Sequence, residues 1–194
     1  MFTTDFRKLG YFLAALLISV AVAYGQGRGG SEVSLGYSYL RANAPPGECG
    51  CFSMNGLRGE FATGVGHGFS LVADVGGYHQ GNVTDSGLSL WVENYLFGPR
   101  ISYRHAKRWT PFAQFLIGGA HASGTLYGTT VGASGSANGF ALSTGGGLDW
   151  NVARHVSVRL FQVEYLHTRL PNSVNDFQNN LRITAGVVFR FGRK

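Results

Sequence analysis

The stretch 180–191 constrains this chain most. Leu181, Ile183, Ala185, Val187, Phe189 and Phe191 fill its odd positions, and Asn180, Arg182, Thr184, Gly186, Val188 and Arg190 its even ones. Every odd place is apolar, and every even place but Val188 is polar or small. Alternate side chains of a strand point to opposite faces, so this is a strand with one oily and one wet face. A soluble sheet alternates in the same way. The oily face here runs for about a dozen residues, near the length of a tilted strand that crosses a bilayer.

The same alternation recurs along the chain and predicts strands at 32–40, 55–63, 69–78, 88–104, 111–125, 139–150 and 155–169 before the last one. In the first, Val33, Leu35, Tyr37 and Tyr39 share a face; in the second, Leu57 and Phe61 oppose Arg58 and Glu60. In the fourth, Tyr95, Phe97, Ile101 and Tyr103 oppose Arg100, Ser102 and Arg104, with Pro99 expected to force a bulge because it lacks a ladder donor. Both faces of the fifth are apolar, which leaves its sides open. In the seventh, the apolar parity switches from Val158 and Leu160 to Val163 and Tyr165, which predicts a bulge near Leu160 and Phe161. The connections alternate long and short, long after the first, third, fifth and seventh strands. Long loops on one side and tight turns on the other are the pattern of outer-membrane barrels, and the even strand number puts both ends of the barrel on the short-turn side. The expected fold is all-β: an eight-stranded antiparallel up-and-down transmembrane barrel over 32–191, with 192–194 as a tail.

A soluble sandwich or ligand-binding barrel would also supply about eight alternating strands. Composition separates the two: charged residues are 13% of the 194, below the usual quarter, while 30 are glycine. A charged inside and an oily outside explain so few charges better than a polar outside does. Aromatics are expected in two girdles, with Trp109, Phe112, Trp150 and Phe189 near the short turns and Tyr39, Tyr78, Trp91 and Tyr165 near the long loops. The net charge of +6 comes without a dense Lys/Arg run, which argues against nucleic acid as a partner.

The N-terminus reads as an export signal. Arg7 and Lys8 precede an apolar core at 11–23, and Ala21-Val22-Ala23 offers a small-x-small cleavage site. A retained anchor is the alternative, but the core is short for a spanning helix. Residues 1–23 are thus assigned as signal peptide and 24–31 as leader.

The final strand resembles the C-terminal signature of bacterial outer-membrane barrels, in which a polar residue, a glycine two places on and two alternating hydrophobic or aromatic residues close the chain. Thr184, Gly186, Phe189 and Phe191 fit those places, and the tail 192–194 departs from members that stop at the aromatic. In the family this strand is read by the assembly machinery. From the first strand on, the chain resembles small OmpA-type and OmpX-type barrels, and the segment 95–100 resembles a motif of environmental, acidobacterial-type members. The resemblance implies an outer membrane of a Gram-negative-type bacterium, with membrane lipids and lipopolysaccharide as partners and a structural or surface-interaction role. It implies no cofactor, and the wall-binding domain of full OmpA-type proteins has no counterpart in the sequence.

The charges expected to face the lumen are Arg58, Glu60, Asp74, Arg100, Arg104, Asp149, Arg159, Glu164, Arg182 and Arg190. An eight-stranded barrel is just wide enough for its own side chains. Arginine in so narrow a space calls for carboxylate partners, and a structural ion network follows. The alternative is a narrow anion path, favoured by the excess of arginine. Cys49 and Cys51 lie in the first long loop; export favours a local disulfide, although so small a ring is strained. Two thiolates with no neighbouring histidine are too few for zinc. One catalytic arrangement is present. His121 and Ser123 share a face, with Glu93 roughly opposite on the preceding strand, and this resembles the His-x-Ser pair of lipid A deacylases. The chain departs from that family at Gly124, where members carry Asn, and has no acid where the family's Glu lies, so a non-enzymatic role is expected.

Overall fold

The computed structural model describes residues 30–42, 51–83, 87–104, 106, 108–125, 135–171, 176 and 178–192. The assigned signal peptide, most of the leader, Cys49 and the last two residues of the tail lie outside the described residues. Eight strands follow one another: β1 (Ser31–Ala42), β2 (Phe52–Gly66), β3 (Phe69–Gln80), β4 (Leu90–Ser102), β5 (Trp109–Gly124), β6 (Gly135–Asn151), β7 (Val156–Thr168) and β8 (Gln178–Phe191). Each pairs antiparallel with its neighbour in sequence, and β1 also pairs with β8, so the sheet closes into a barrel. Closure leaves no strand edge unpaired, the condition a sheet must meet within a bilayer. The seam runs from Ser31 opposite Phe191 to Arg41 opposite Leu181.

The tightest connection joins β2 to β3. His67 and Gly68 both adopt positive φ, 50° and 84°, as a two-residue hairpin turn demands at its centre. The β4–β5 and β6–β7 connections lie at the same end as this turn. Residues 43–51, 81–89, 125–134 and 169–177 connect strands at the other end, as the sequence pattern predicts.

The outside is oily. Leu35, Leu57, Phe69, Val75, Tyr95, Phe97, Ile101, Phe115, Ile117, Phe140, Leu160, Phe161, Val163, Tyr165, Leu181 and Ile183 are all exposed on it. The inside holds the charges: Arg58, Glu60, Asp74, Arg100, Asp149, Arg159, Glu164 and Arg182 are each at most 4% exposed. A water-soluble protein arranges these classes the other way round. This polarity is that of a barrel solvated by hydrocarbon.

The expected bulge in β7 is present. Against β8 the register slips between Arg159 and Gln162, and Leu160 and Phe161 both face outward. The extra residue returns Gln162 and Glu164 to the lumen. The bulge expected at Pro99 is absent. Pro99 lies opposite Leu71 in an unbroken β3–β4 register, and the β4–β5 register is the same on either side, with Phe97 opposite Ile117 and Arg100 opposite Gln114. Losing one amide donor removes a rung but does not require an extra residue. At its neighbour Gly98, a Cβ would sit 2.1 Å from the Phe115 carbonyl oxygen, so the backbones of β4 and β5 draw close there.

Two members of the expected girdles face inward instead. Tyr78 is fully buried, and Phe112 is 7% exposed beneath two guanidinium groups. Strand ends also shift: β4 stops at Ser102, short of Arg104, and β6 begins at Gly135, within the expected loop.

Candidate functional site in the lumen

Glu60 is the hub of the interior. β2 places it two residues from Arg58 on the same face, so both side chains enter the lumen together. Its Oε1 lies 2.7 Å from Arg58 Nη2 and accepts from Gln114 Nε2 and Gln162 Nε2, each at 3.1 Å. Its Oε2 accepts from Arg100 Nη2, Arg159 Nη1 and Ser34 Oγ. One carboxylate therefore gathers donors from four other strands.

Arg58 extends the network upward. Its Nε donates to Asp74, and its Nη1 and Nη2 donate to Glu164. Glu164 also accepts from Arg182 Nε at 3.0 Å, Gln114 Nε2 at 2.8 Å and Ser143 Oγ at 3.2 Å. Asp74 accepts from Asn94 Nδ2 at 2.8 Å. Arg159 Nε is held by Asp149 Oδ1 at 2.8 Å. The guanidinium carbons of Arg100 and Arg159 each lie 4.5 Å from the centre of the Phe112 ring, a cation–π geometry. Inward glycines make the room: a Cβ on Gly147 would lie 2.8 Å from Phe112 Cζ, and one on Gly145 would meet Glu164 Cγ at the same distance.

The deeply buried charges balance. Arg58, Arg100, Arg159 and Arg182 face Glu60, Asp74, Asp149 and Glu164, four against four. The remaining two expected lumen charges belong to the short-turn rim. Arg190 Nε is 2.8 Å and Arg104 Nη2 is 3.0 Å from Glu32 Oε1, a buried carboxylate that the sequence reading did not single out. Arg104 is 40% exposed, because it lies beyond the end of β4. The arginine excess expected to favour anions is therefore a rim property, with no surplus of positive charge in the middle of the barrel.

Above the ion network the lumen is mostly apolar, with Thr168 and Asn180 also buried at this end. Leu40, Met54, Leu90, Val92, Leu166 and Leu170 belong to one buried cluster at the long-loop end, with Phe52 and Ala137 packed against it. Sequence reasoning missed this plug. The signal was present in β4, where Leu90, Val92 and Leu96 share the parity of Arg100, and in the doubly apolar β5. Beside Ser34, Arg58, Glu60 and Arg159 is a cavity of about 10 Å³, room for one water molecule.

The remaining predicted residues lie elsewhere. Glu93 stands directly opposite His121 across β4 and β5. Each bonds a different partner: His121 Nδ1 donates to Asn138 Oδ1 at 2.7 Å, and Glu93 Oε1 accepts from Trp91 Nε1 at 3.0 Å. Ser123 lies opposite Trp91 on the outer face. Among the described residues no carboxylate is shown orienting the imidazole toward the serine, the arrangement an activated hydroxyl needs. Cys51 is exposed just before β2. On β8, Thr184 bonds Ser38 Oγ at 2.8 Å inside the barrel, while Phe189 and Phe191 face outward. Gly186 pairs with Gly36 at the seam, where a Cβ would lie 2.1 Å from the Leu35 carbonyl oxygen. Among the described residues no group of His, Cys, Asp and Glu is arranged to hold a metal ion.

No protein-family model matches the chain, and no curated protein matches it in sequence. Solved structures match it in fold. Ail, the attachment invasion locus protein of Yersinia pestis, is 15% identical over 85% of this chain and 100% of that one, with a TM-score of 0.57. Neisserial surface protein A is 13% identical over 83% of this chain and 97% of that one, with a TM-score of 0.63. The outer membrane protein OprG of Pseudomonas aeruginosa is 11% identical over 85% and 97%, with a TM-score of 0.53. The shared feature is the fold, a small eight-stranded barrel of the outer-membrane type.

Proposed function

We propose that this chain is an integral outer-membrane protein with a closed, filled lumen, acting as a membrane-integrity or surface-contact element and not as an enzyme. The observation that carries the reading is the inverted polarity. Eight buried charges pair with one another inside, and a continuous band of large apolar side chains covers the outside. In this reading 1–23 directs export, and Thr184, Gly186, Phe189 and Phe191 form the strand that the assembly machinery reads. The lumen charges serve the barrel as an internal brace. Surface contact falls to the long loops, since loops on a rigid scaffold set binding while the scaffold is shared by many functions. The fold shared with an attachment invasion locus protein supports this direction. Membership among OmpA-type and OmpX-type barrels, with the 95–100 segment of acidobacterial-type members, belongs to the same proposal.

The anion-channel alternative is disfavoured by the balanced network and the apolar plug above it. The test is gel mobility of the mature chain refolded in detergent. A closed barrel resists cold SDS and migrates differently once boiled. Absence of a shift, together with a soluble monomer in plain buffer, would overturn the reading.

A further inference from the structure

Outside the lumen, the basic residues gather at one end. Arg104, Arg108 and Arg154 are exposed at the short-turn end, with Arg190 half-buried beside them, and Glu32 is the acid among them. The sequence adds Lys107 to the β4–β5 connection and Arg193 and Lys194 after β8. At the long-loop end the described charges are Arg41 and Arg169 against Glu93 and Asp176, and the sequence adds Glu48 and Asp85 to those connections. The surplus positive charge of the chain is thus concentrated on the turn side.

The basic turns adjoin the outer face at one place. Trp109 and Trp150 stack there, 6.2 Å between ring centres and 26° between planes, and both are exposed on the oily surface. Arg108 directly precedes Trp109, and its carbonyl accepts from the Asn151 amide at 2.8 Å, fixing it next to the neighbouring turn. That turn carries Arg154 and is closed by the Val152 and Ala153 amides donating to the Val156 carbonyl. Arg108 and the Arg154 turn thus lie at the edge of a lipid-exposed indole pair.

We propose that this rim binds the head group of an anionic phospholipid in the leaflet that the short turns face. Arg108 and Arg154 take the phosphate, and the indole pair lies along the glycerol and upper acyl chains. The inference rests on the membrane reading above. Arginine matches phosphate oxygens with parallel N–H donors, and tryptophan at a membrane interface sits at head-group level. The exposed Val152 beside Arg154 adds apolar contact, which suits a lipid and is of no use to a soluble anion.

Native mass spectrometry of the mature chain, refolded in detergent and offered phosphatidylglycerol or phosphatidylethanolamine, tests this. Phosphatidylglycerol should be retained preferentially. One basic residue near an anionic surface is worth about fivefold in binding, so the Arg108→Gln/Arg154→Gln pair should lower retention roughly twenty-five-fold. The Arg41→Gln/Arg169→Gln pair at the other end should leave it unchanged. Equal retention of the two lipids by the unsubstituted chain overturns the proposal, as does loss in the long-loop pair instead. Displacement of the lipid by excess inorganic phosphate overturns the lipid assignment. Each sample is also run boiled and unboiled. A chain with no mobility shift fails the membrane reading, whereas a shifted chain indifferent to lipid charge fails only this inference.

Discussion

Arg58 and Glu60, two residues apart on β2, reach into the same section of the lumen and pair there, Nη2 to Oε1 at 2.7 Å. Neighbours on one face of a strand rarely form the centre of a core. Here they do, because Arg58 also reaches Asp74 and Glu164 while Glu60 also holds Arg100 and Arg159. The barrel is braced across its diameter by charges that hydrocarbon outside could not solvate.

Truncating the hub should be costly. Glu60→Ala leaves three buried guanidinium groups short of a partner, and breaking a buried ion pair from one side costs about 3–5 kcal/mol. The midpoint of urea unfolding in lipid vesicles should fall accordingly. Glu93→Ala, which removes a partly exposed carboxylate on the outer face, should change it by less than about 0.5 kcal/mol.

Phe112 and Phe115 offer a test of sidedness. They lie on one strand with opposite parity, Phe112 under Arg100 and Arg159 and Phe115 on the oily face. Phe112→Ala should cost about 3–5 kcal/mol, as loss of a buried aromatic does. Phe115→Ala should cost clearly less in the same unfolding assay, since lipid fills the space. The reverse order would mean that β5 faces the other way.

The β7 bulge predicts an unusual tolerance. Deleting Leu160 removes the extra outward residue and leaves Arg159 inside, Phe161 outside and Gln162 inside, a regular alternation. The deletion variant should still show the mobility difference between boiled and unboiled samples. Its failure to fold would show that the bulge is required for closure and not only for register.

Expression of the chain should leave the lipid A mass spectrum unchanged, and His121→Ala should be indistinguishable from the parent. The bonds of His121 and Glu93 go to Asn138 and Trp91, away from Ser123. Loss of an acyl chain from lipid A that depended on His121 would contradict the assignment of the outer face as non-catalytic.

Strand number, closure and the sides of the eight inward charges were legible because period-two alternation carries that information without knowledge of partners. The β7 bulge was legible for the same reason, as a change of parity between Leu160 and Val163. What alternation does not carry is height within the lumen. Leu40, Met54 and Leu90 share the inward parity of the charges, but only pairing across the barrel shows that they stack into an apolar plug above them. The preference of aromatics for interfaces places Phe112 and Tyr78 in the girdles. Inside, the triple glycine at 145–147 makes space opposite Phe112, and Tyr78 accepts from Arg182 at 3.4 Å. The chemistry of proline predicts a bulge at Pro99, whereas the fold needs only to omit one rung. The concentration of basic charge at the turns was hidden because Arg104 and Arg108, Arg154, and Arg190 lie in three separate parts of the sequence that come to one end only once the sheet closes.

The most direct measurement uses the chain as it is. Its three tryptophans, Trp91, Trp109 and Trp150, are all exposed on the oily face, one toward the long loops and two toward the turns. The mature chain should be refolded into vesicles whose lipids carry bromine at defined depths along the acyl chain, and its tryptophan fluorescence recorded. Strong quenching, greater with bromine near the head groups than at the bilayer centre, is the expected result. Fluorescence indifferent to bromine at every depth would show that this face does not meet lipid, and would contradict the membrane barrel itself.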